Sequence, residues 1–185
     1  MKKRSPFLSK LFRYYNWFRR ITDGVLNVTT PGIRMGLLKL MLGSLGEQTW
    51  IDYEVYFRYP WQIHIGSRCT INRKCAFYTS YYHRDVSITI GDHVQIAPEV
   101  SFFAASHDYT KLNRPDTAAS INIGDEAWIG ARSVILPGVK IGRGAVVEAG
   151  SVVTRDIPEW SIAVGSPARV VKKREICDLS ETDKE

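Results

Sequence analysis

Across residues 123–158 an aliphatic side chain returns every six positions, at Ile123, Ile129, Ile135, Ile141, Val147 and Val153. Four places after each of the first five stand Ala127, Ser133, Val139, Ala145 and Ser151, all small or modest in size. A six-residue unit is too short to close a core by itself, so such a repeat is stable only when its units stack. The pattern predicts short parallel strands wound into a coil, three units to a turn. The same register runs earlier through Ile65, Ile71 and Phe77, and through Ile90, Ile96 and Phe102, and it starts weakly near Ile51. It breaks over 81–86 and again over 107–120, where Asn113, Pro115 and Asp116 fall. These breaks are expected to lie outside the coil.

Ahead of the repeat, residues 5–21 place Leu8, Leu11, Phe12, Tyr15, Phe18 and Ile21 at helical spacing, with bases on the remaining face. Residues 23–32 hold Gly24, Asn27, Thr29, Thr30, Pro31 and Gly32 and read as a turn-rich linker. A second helix is expected over 33–42, with Arg34 and Lys39 exposed and Gly43 or Gly46 ending it. The expected organisation is a helical extension over 1–46, a repeat domain over 47–173 with an excursion at 107–120, and a polar tail over 174–185. The extension is expected to cover the open end of the coil, whose unpaired backbone would otherwise invite aggregation.

Composition narrows the partners. At 185 residues the chain forms one domain with a short extension. Its formal charge is +6, yet residues 1–20 hold seven bases and no acid, which leaves the remainder at −1. The basicity therefore belongs to the amino-terminal arm, and no nucleic-acid partner is expected. A basic amphipathic helix over 1–21 suits peripheral contact with an anionic membrane surface, or else packs its aromatic face on the domain or a neighbouring subunit. The three cysteines are odd in number and form no CxxC pair, against a disulfide framework or a zinc ribbon. Cys69 and Cys75 fall in the small inward slot of the repeat and are expected to be buried and reduced. Bases interrupt every candidate signal segment, and the longest apolar stretch, 37–42, is too short to span a bilayer. The default compartment is the cytoplasm.

The motifs Trp128-Ile129-Gly130, Ile135-Leu136-Pro137-Gly138-Val139, Val153-Thr154-Arg155-Asp156-Ile157-Pro158 and Gly165-Ser166-Pro167-Ala168-Arg169-Val170 resemble those of the hexapeptide-repeat acyltransferases. The resemblance covers roughly residues 50–173 and is nearest to sugar O-acetyltransferases of the galactoside, maltose and colanic-acid type. It implies an all-β chain, a left-handed parallel β-helix of hexapeptide repeats with a helical N-terminal extension and a short C-terminal tail. The hand comes from the resemblance alone, because parallel crossovers are otherwise right-handed. Gly66, Gly91, Gly124, Gly130 and Gly142, at the second place of their units, are compatible with corners that need unusual φ values.

Of the four histidines, His64, His83, His93 and His107, only His107 sits at the root of the long excursion, where the resemblance puts a general base. A sugar hydroxyl is too weak an acid to ionise at neutral pH, so a neutral imidazole must take its proton as attack proceeds. The imidazole needs a partner on its other nitrogen; Asp108 is adjacent, a backbone carbonyl would serve equally, and the role stays open. Relatives carry an asparagine near the acceptor where this chain has Ala76, and Tyr78 on the same strand is the substitute acceptor contact. The donor substrate implied is acetyl-CoA, with no metal required. The matching donor positions are Trp128, Ala131, Ala149, Thr154, Arg155, Arg169 and Lys172. Small side chains there let a pantetheine arm approach the backbone, and Arg155, Arg169 and Lys172, with Lys173 and Arg174 nearby, can neutralise phosphates.

The resemblance further implies a homotrimer with active sites between subunits. The expected activity is acetyl-CoA-dependent O-acetylation of a sugar hydroxyl on a cell-surface polysaccharide precursor. The alternatives are N-acylation of an amino sugar or nucleotide-linked amino sugar and, outside enzymes, a membrane-associated scaffold. A zinc hydratase of the γ-carbonic-anhydrase kind needs three converging histidines, two of them close in sequence, and the histidine spacings here do not match.

Overall fold

The computed structural model describes residues 6–176. Lys2, Lys3, Arg4 and most of the expected tail lie outside the described residues, as do the side chains of Leu8, Leu11 and Phe12 on the expected amphipathic face. The chain divides into two compact units after Met41.

The first unit is a pair of touching helices, α1 (Pro6–Val28) and α2 (Pro31–Met41). The turn-rich linker expected over 23–32 shrinks to Thr29 and Thr30, because α1 runs on through Gly24 and Asn27. A glycine in a helix costs about 1 kcal/mol, and local bonds offset it. The buried Arg19 guanidinium donates to Asp23 one turn on and to the Thr22 hydroxyl, the i,i+4 geometry that supports a helix. Pro31 then opens α2 at the position where a missing N–H costs nothing. Arg34, expected on the exposed face, is only 2% exposed and shares a buried face with Leu38 one turn later, while Lys39 is exposed as expected.

The second unit is a three-faced coil. Its first turn is β1 (Ser44–Leu45), β2 (Trp50–Ile51) and β3 (Tyr56–Arg58); its second is β4 (Ile63–Ile65), β5 (Thr70–Ile71) and β6 (Ala76–Tyr78). The third is β7 (Ile88–Ile90), β8 (Gln95–Ile96) and β9 (Ser101–Phe103), after which a hairpin of β10 (Ala105–His107) and β11 (Asp116–Ala118) stands out. The fourth is β12 (Ile121–Ile123), β13 (Trp128–Ile129) and β14 (Val134–Ile135), and the fifth β15 (Lys140–Ile141), β16 (Val146–Val147) and β17 (Val152–Val153). Finally β18 (Ser161–Gly165) stacks on β16, and β19 (Ala168–Lys173) turns back antiparallel beside it. Face one is β1-β4-β7-β12-β15, face three is β3-β6-β9-β14-β17, and face two carries the remaining strands of the coil. Parallel pairing already begins at Ser44, ahead of the first sequence signal near Ile51.

Equivalent residues stack in strict register. Ile65, Ile90, Ile123 and Ile141 form one inner column, and Phe57, Phe77, Phe102, Ile135 and Val153 another. All of them are buried. The phenylalanines stack ring on ring, Phe57 to Phe77 at 5.1 Å and Phe77 to Phe102 at 4.7 Å. Cys69 and Cys75 are buried as the repeat requires, their thiols donating to the carbonyls of Gly91 and Ala97. Burial pushes the Cys75 thiol up to about 11, so it stays neutral and unreactive at physiological pH.

The glycines at the second place of the units do not supply the unusual φ values. Positive φ falls two residues later, at Arg68, His93, Glu126, Arg132 and Gly144. The glycines are needed because the coils pass too closely there: a Cβ on Gly130 would stand 2.5 Å from the Ala149 nitrogen and 2.7 Å from the Val147 oxygen.

Because Phe77 is stacked on both sides and fully buried, Phe77→Ala removes two ring contacts and opens a cavity that neighbouring coils cannot close. The expected loss is about 3–5 kcal/mol, read as a lowered midpoint in urea unfolding monitored by circular dichroism.

Candidate active site

All three interruptions of the coil fall on one edge, where face three passes to face one. A short 3-10 turn, Pro60–Gln62, follows β3; residues 79–87 follow β6; residues 104–120 follow β9. Hydrogen bonds tie each to the next. The Thr79 hydroxyl donates to the Arg58 carbonyl, and the Gln62 side-chain amide donates to the His83 carbonyl at 3.0 Å. Ala104 N–H donates to the Tyr78 carbonyl at 2.8 Å, Ala119 N–H to the Ala104 carbonyl at 2.9 Å, and Ser87 N–H to the Ser120 hydroxyl at 3.1 Å. The loops on this edge are therefore a stack of their own.

His107 ends the outgoing strand of the hairpin and pairs in register with Asp116 on the returning strand. Its Nδ1 lies 3.3 Å from Asp116 Oδ1, with the two side chains 60% and 29% exposed. Asp108 is occupied elsewhere: it accepts from the Thr110 N–H and hydroxyl and pairs with Lys111 at 3.1 Å. The Thr110 bonds, then Lys111, hold its carboxyl below the usual carboxylate range. The partner left open by the sequence is thus Asp116, nine positions along the chain and absent from the expected site. If Nδ1 carries its proton towards Asp116, the lone pair of the ring lies on Nε2. The other histidines have different surroundings: His64 Nδ1 is 3.2 Å from the Ser44 hydroxyl, His83 Nδ1 is 3.1 Å from the Ser80 hydroxyl, and His93 occupies a positive-φ turn.

Tyr78, the expected acceptor contact, is half-buried on face three with its ring stacked on Phe103 at 4.8 Å and tilted against Tyr56 at 5.5 Å. Ala76 pairs with Tyr56 on one side and Ser101 on the other.

The expected donor residues fall into two groups. Trp128, Val146, Ile162 and Lys172 follow one another across face two, and Arg169 lies on the same strand as Lys172. Ala131 and Ala149 belong to successive turns of the edge between faces two and three, joined by the Gly150 N–H to the Ala131 carbonyl at 2.8 Å. Thr154 and Arg155 lie on the far side of face three, beyond β17, on the edge that carries the His107 hairpin. Trp128, Ala149, Thr154, Arg155, Arg169 and Lys172 are exposed. Arg174, expected among the phosphate-facing bases, is committed to the fold: its guanidinium donates to the carbonyls of Gly144 at 2.8 Å and Glu126 at 3.2 Å.

Residues 120–155 match the family model described as the hexapeptide repeat of succinyl-transferase. The galactoside O-acetyltransferase of Escherichia coli strain K12 is 40% identical over 143 residues, which are 76% of this chain and 68% of that protein. The chain belongs to the hexapeptide-repeat acetyltransferases. Two solved members bear this out in three dimensions. A hexapeptide-repeat acetyltransferase from Vibrio cholerae O1 biovar eltor, complexed with acetyl coenzyme A, matches with a TM-score of 0.78 at 30% identity over 85% of this chain and 86% of that one. A maltose O-acetyltransferase from Clostridium difficile 630 matches with a TM-score of 0.78 at 33% identity over 86% of each chain. The coil of this acetyltransferase is the left-handed parallel β-helix.

If Asp116 fixes the imidazole, Asp116→Ala frees Nδ1. The neutral His107 ring is then expected to pass from the Nδ1–H tautomer to a mixture, seen as a shift of its two ring-nitrogen resonances towards one another in 15N NMR. A ring held only by the surrounding backbone would show no change.

Proposed function

We propose that this acetyltransferase moves an acetyl group from acetyl-CoA to a hydroxyl of a sugar, on a precursor of a cell-surface polysaccharide, with His107 as general base. The observation that carries the reading is the His107–Asp116 pair on a hairpin at the coil edge. Acetyl-CoA supplies the activated acyl carbon. His107 Nε2 takes the acceptor's hydroxyl proton as the new C–O bond forms, and returns it to the departing thiolate as the C–S bond breaks. Asp116 balances the imidazolium in between. The donor-side residues fit the coenzyme: the half-buried Ala131 and exposed Ala149 leave the backbone approachable, while the exposed Arg155, Arg169 and Lys172 supply cations for its phosphates.

The division of the donor residues across face three supports a homotrimer. One chain cannot gather Trp128, Ala149 and Lys172 into the same groove as Thr154 and Arg155, because a sheet stands between them. A groove between neighbouring copies can take one group from each wall, and a threefold ring closes such a contact.

His107→Ala is expected to lower kcat for a sugar acceptor by about 10²–10⁴, measured as thiol release from acetyl-CoA. Turnover that survives this substitution undiminished, or that appears with amino sugars alone, removes the reading.

The amino-terminal helix supports peripheral contact with an anionic membrane surface. Tyr14, Trp17, Phe18 and Ile21 are all exposed on α1, beside the exposed Arg20. Among the described residues no helix is long and apolar enough to cross a membrane. The double substitution Trp17→Ser, Phe18→Ser is expected to reduce sedimentation with phosphatidylserine vesicles while leaving turnover of a water-soluble sugar intact; equal sedimentation dismisses the contact.

A further inference from the structure

We propose that a cavity on the His107 edge is a second saccharide subsite, built for a hexose ring that carries an anionic substituent. This rests on the sugar-acetylation reading and extends it to the size and charge of the acceptor. The cavity is about 410 Å³ and is lined by Trp61, Gln62, Ser80, Tyr81 and Arg84. That volume falls within the range of small-molecule sites. All five residues belong to the two lower interruptions of the coil, the Pro60–Gln62 turn and the 79–87 segment.

Its walls are aromatic. Trp61 is 52% exposed, and its ring lies 5.5 Å from that of Tyr59, which in turn lies 5.7 Å from Tyr81. Exposed rings of this kind bury the C–H face of a pyranose while the hydroxyls stay in water or meet polar groups at the rim. Gln62 supplies a polar group. It is 4% exposed, its Nε2 donates to the His83 carbonyl at 3.0 Å, and its Oε1 has no hydrogen-bond partner. The His83 carbonyl fixes which end of the amide is which, because an oxygen there would face an oxygen. Ser80 shapes the loop instead, accepting from the N–H groups of Tyr82 and His83 at 3.3 Å.

Arg84 sets the charge. It is exposed on the cavity wall and makes no ion pair among the described residues. A guanidinium so placed favours a planar carboxylate or a phosphate. Position links the cavity to the reaction. The turn leaves the first coil, the 79–87 segment the second and the His107 hairpin the third, all on the same edge. At ordinary strand spacing the cavity is roughly 5–10 Å along the coil axis from the root of the hairpin. The unit to be acetylated would lie at His107, with an adjoining acidic unit held between Trp61 and Arg84.

The test is saturation-transfer NMR on the full chain with three probes, glucuronate, glucose 1-phosphate and glucose, repeated with Trp61→Ala and Arg84→Gln. Stronger transfer to at least one anionic probe than to glucose is expected, and the stronger of the two names carboxylate or phosphate as the group read. Trp61→Ala should abolish the transfer. Arg84→Gln, a change to an exposed side chain that leaves the melting temperature in place, should weaken the favoured probe about tenfold, as losing one charge-assisted contact does. Equal transfer to all three probes, or no effect of Arg84→Gln, overturns the proposal. If sugar turnover is absent while the binding pattern holds, the acetylation reading fails and the subsite stands; turnover without anion-selective binding removes the subsite alone.

Discussion

Each turn of the coil is the hydrogen-bonding partner of the next, and everything else in this acetyltransferase follows from that dependence. A strand two or three residues long has no stability of its own; it persists because its N–H and C=O groups meet those of the coils on either side in strict register. Register also forces chemistry to repeat. An inward isoleucine must meet an inward isoleucine, a phenylalanine stacks on a phenylalanine, and a corner where an added Cβ would stand 2.5 Å from its neighbour's backbone must be glycine. The six-residue period is the one-dimensional image of that vertical constraint.

A structure so constrained can accept extra residues only where they leave the ladder undisturbed. This chain puts all of them on one edge and gives them bonds to one another, so the interruptions form a stack parallel to the coil. The residues assigned to the proposed function gather there for the same reason. The coil supplies rigid, evenly spaced attachment points, and the interruptions supply side chains whose identity the repeat does not dictate. His107 and Asp116, Trp61 and Arg84, and on a later turn Thr154 and Arg155, all project from this edge. The remaining expected donor residues sit across face three, so the proposed groove draws its second wall from another copy of the chain.

The sequence disclosed what repeats and missed what does not. Ile123, Cys75 and Ser133 could be placed inside the coil by counting, because each is one instance of a column. The start at Ser44 escaped notice because Leu45 is one aliphatic position without an equivalent ahead of it to set a period. The linker expected over 23–32 failed because composition weighs Gly24 and Asn27 as turn formers and is blind to an Arg19–Asp23 bond that holds the helix through them. The glycines were assigned to the wrong strain: only the stacked coils show that the left-handed turn falls two residues on, at positions filled by Arg68, His93 and Glu126.

The partner of His107 shows the same limit at the scale of one bond. Asp108 is adjacent in sequence, but neighbours along a strand point to opposite faces, and Asp108 is spent on closing the turn with Thr110 and Lys111. Asp116 is remote in sequence and adjacent in space, because an antiparallel hairpin sets cross-strand partners within about 5.5 Å of each other. Which residue becomes that partner depends on the length of the turn and its register, and Pro115 helps fix both by offering its carbonyl to the Asp108 N–H at 2.9 Å. One residue more or less between 108 and 115 would bring Pro115 or Thr117 opposite His107, neither of which carries a carboxylate. The length of the excursion, which in sequence looks like a gap in the repeat, is therefore what sets Asp116 opposite His107.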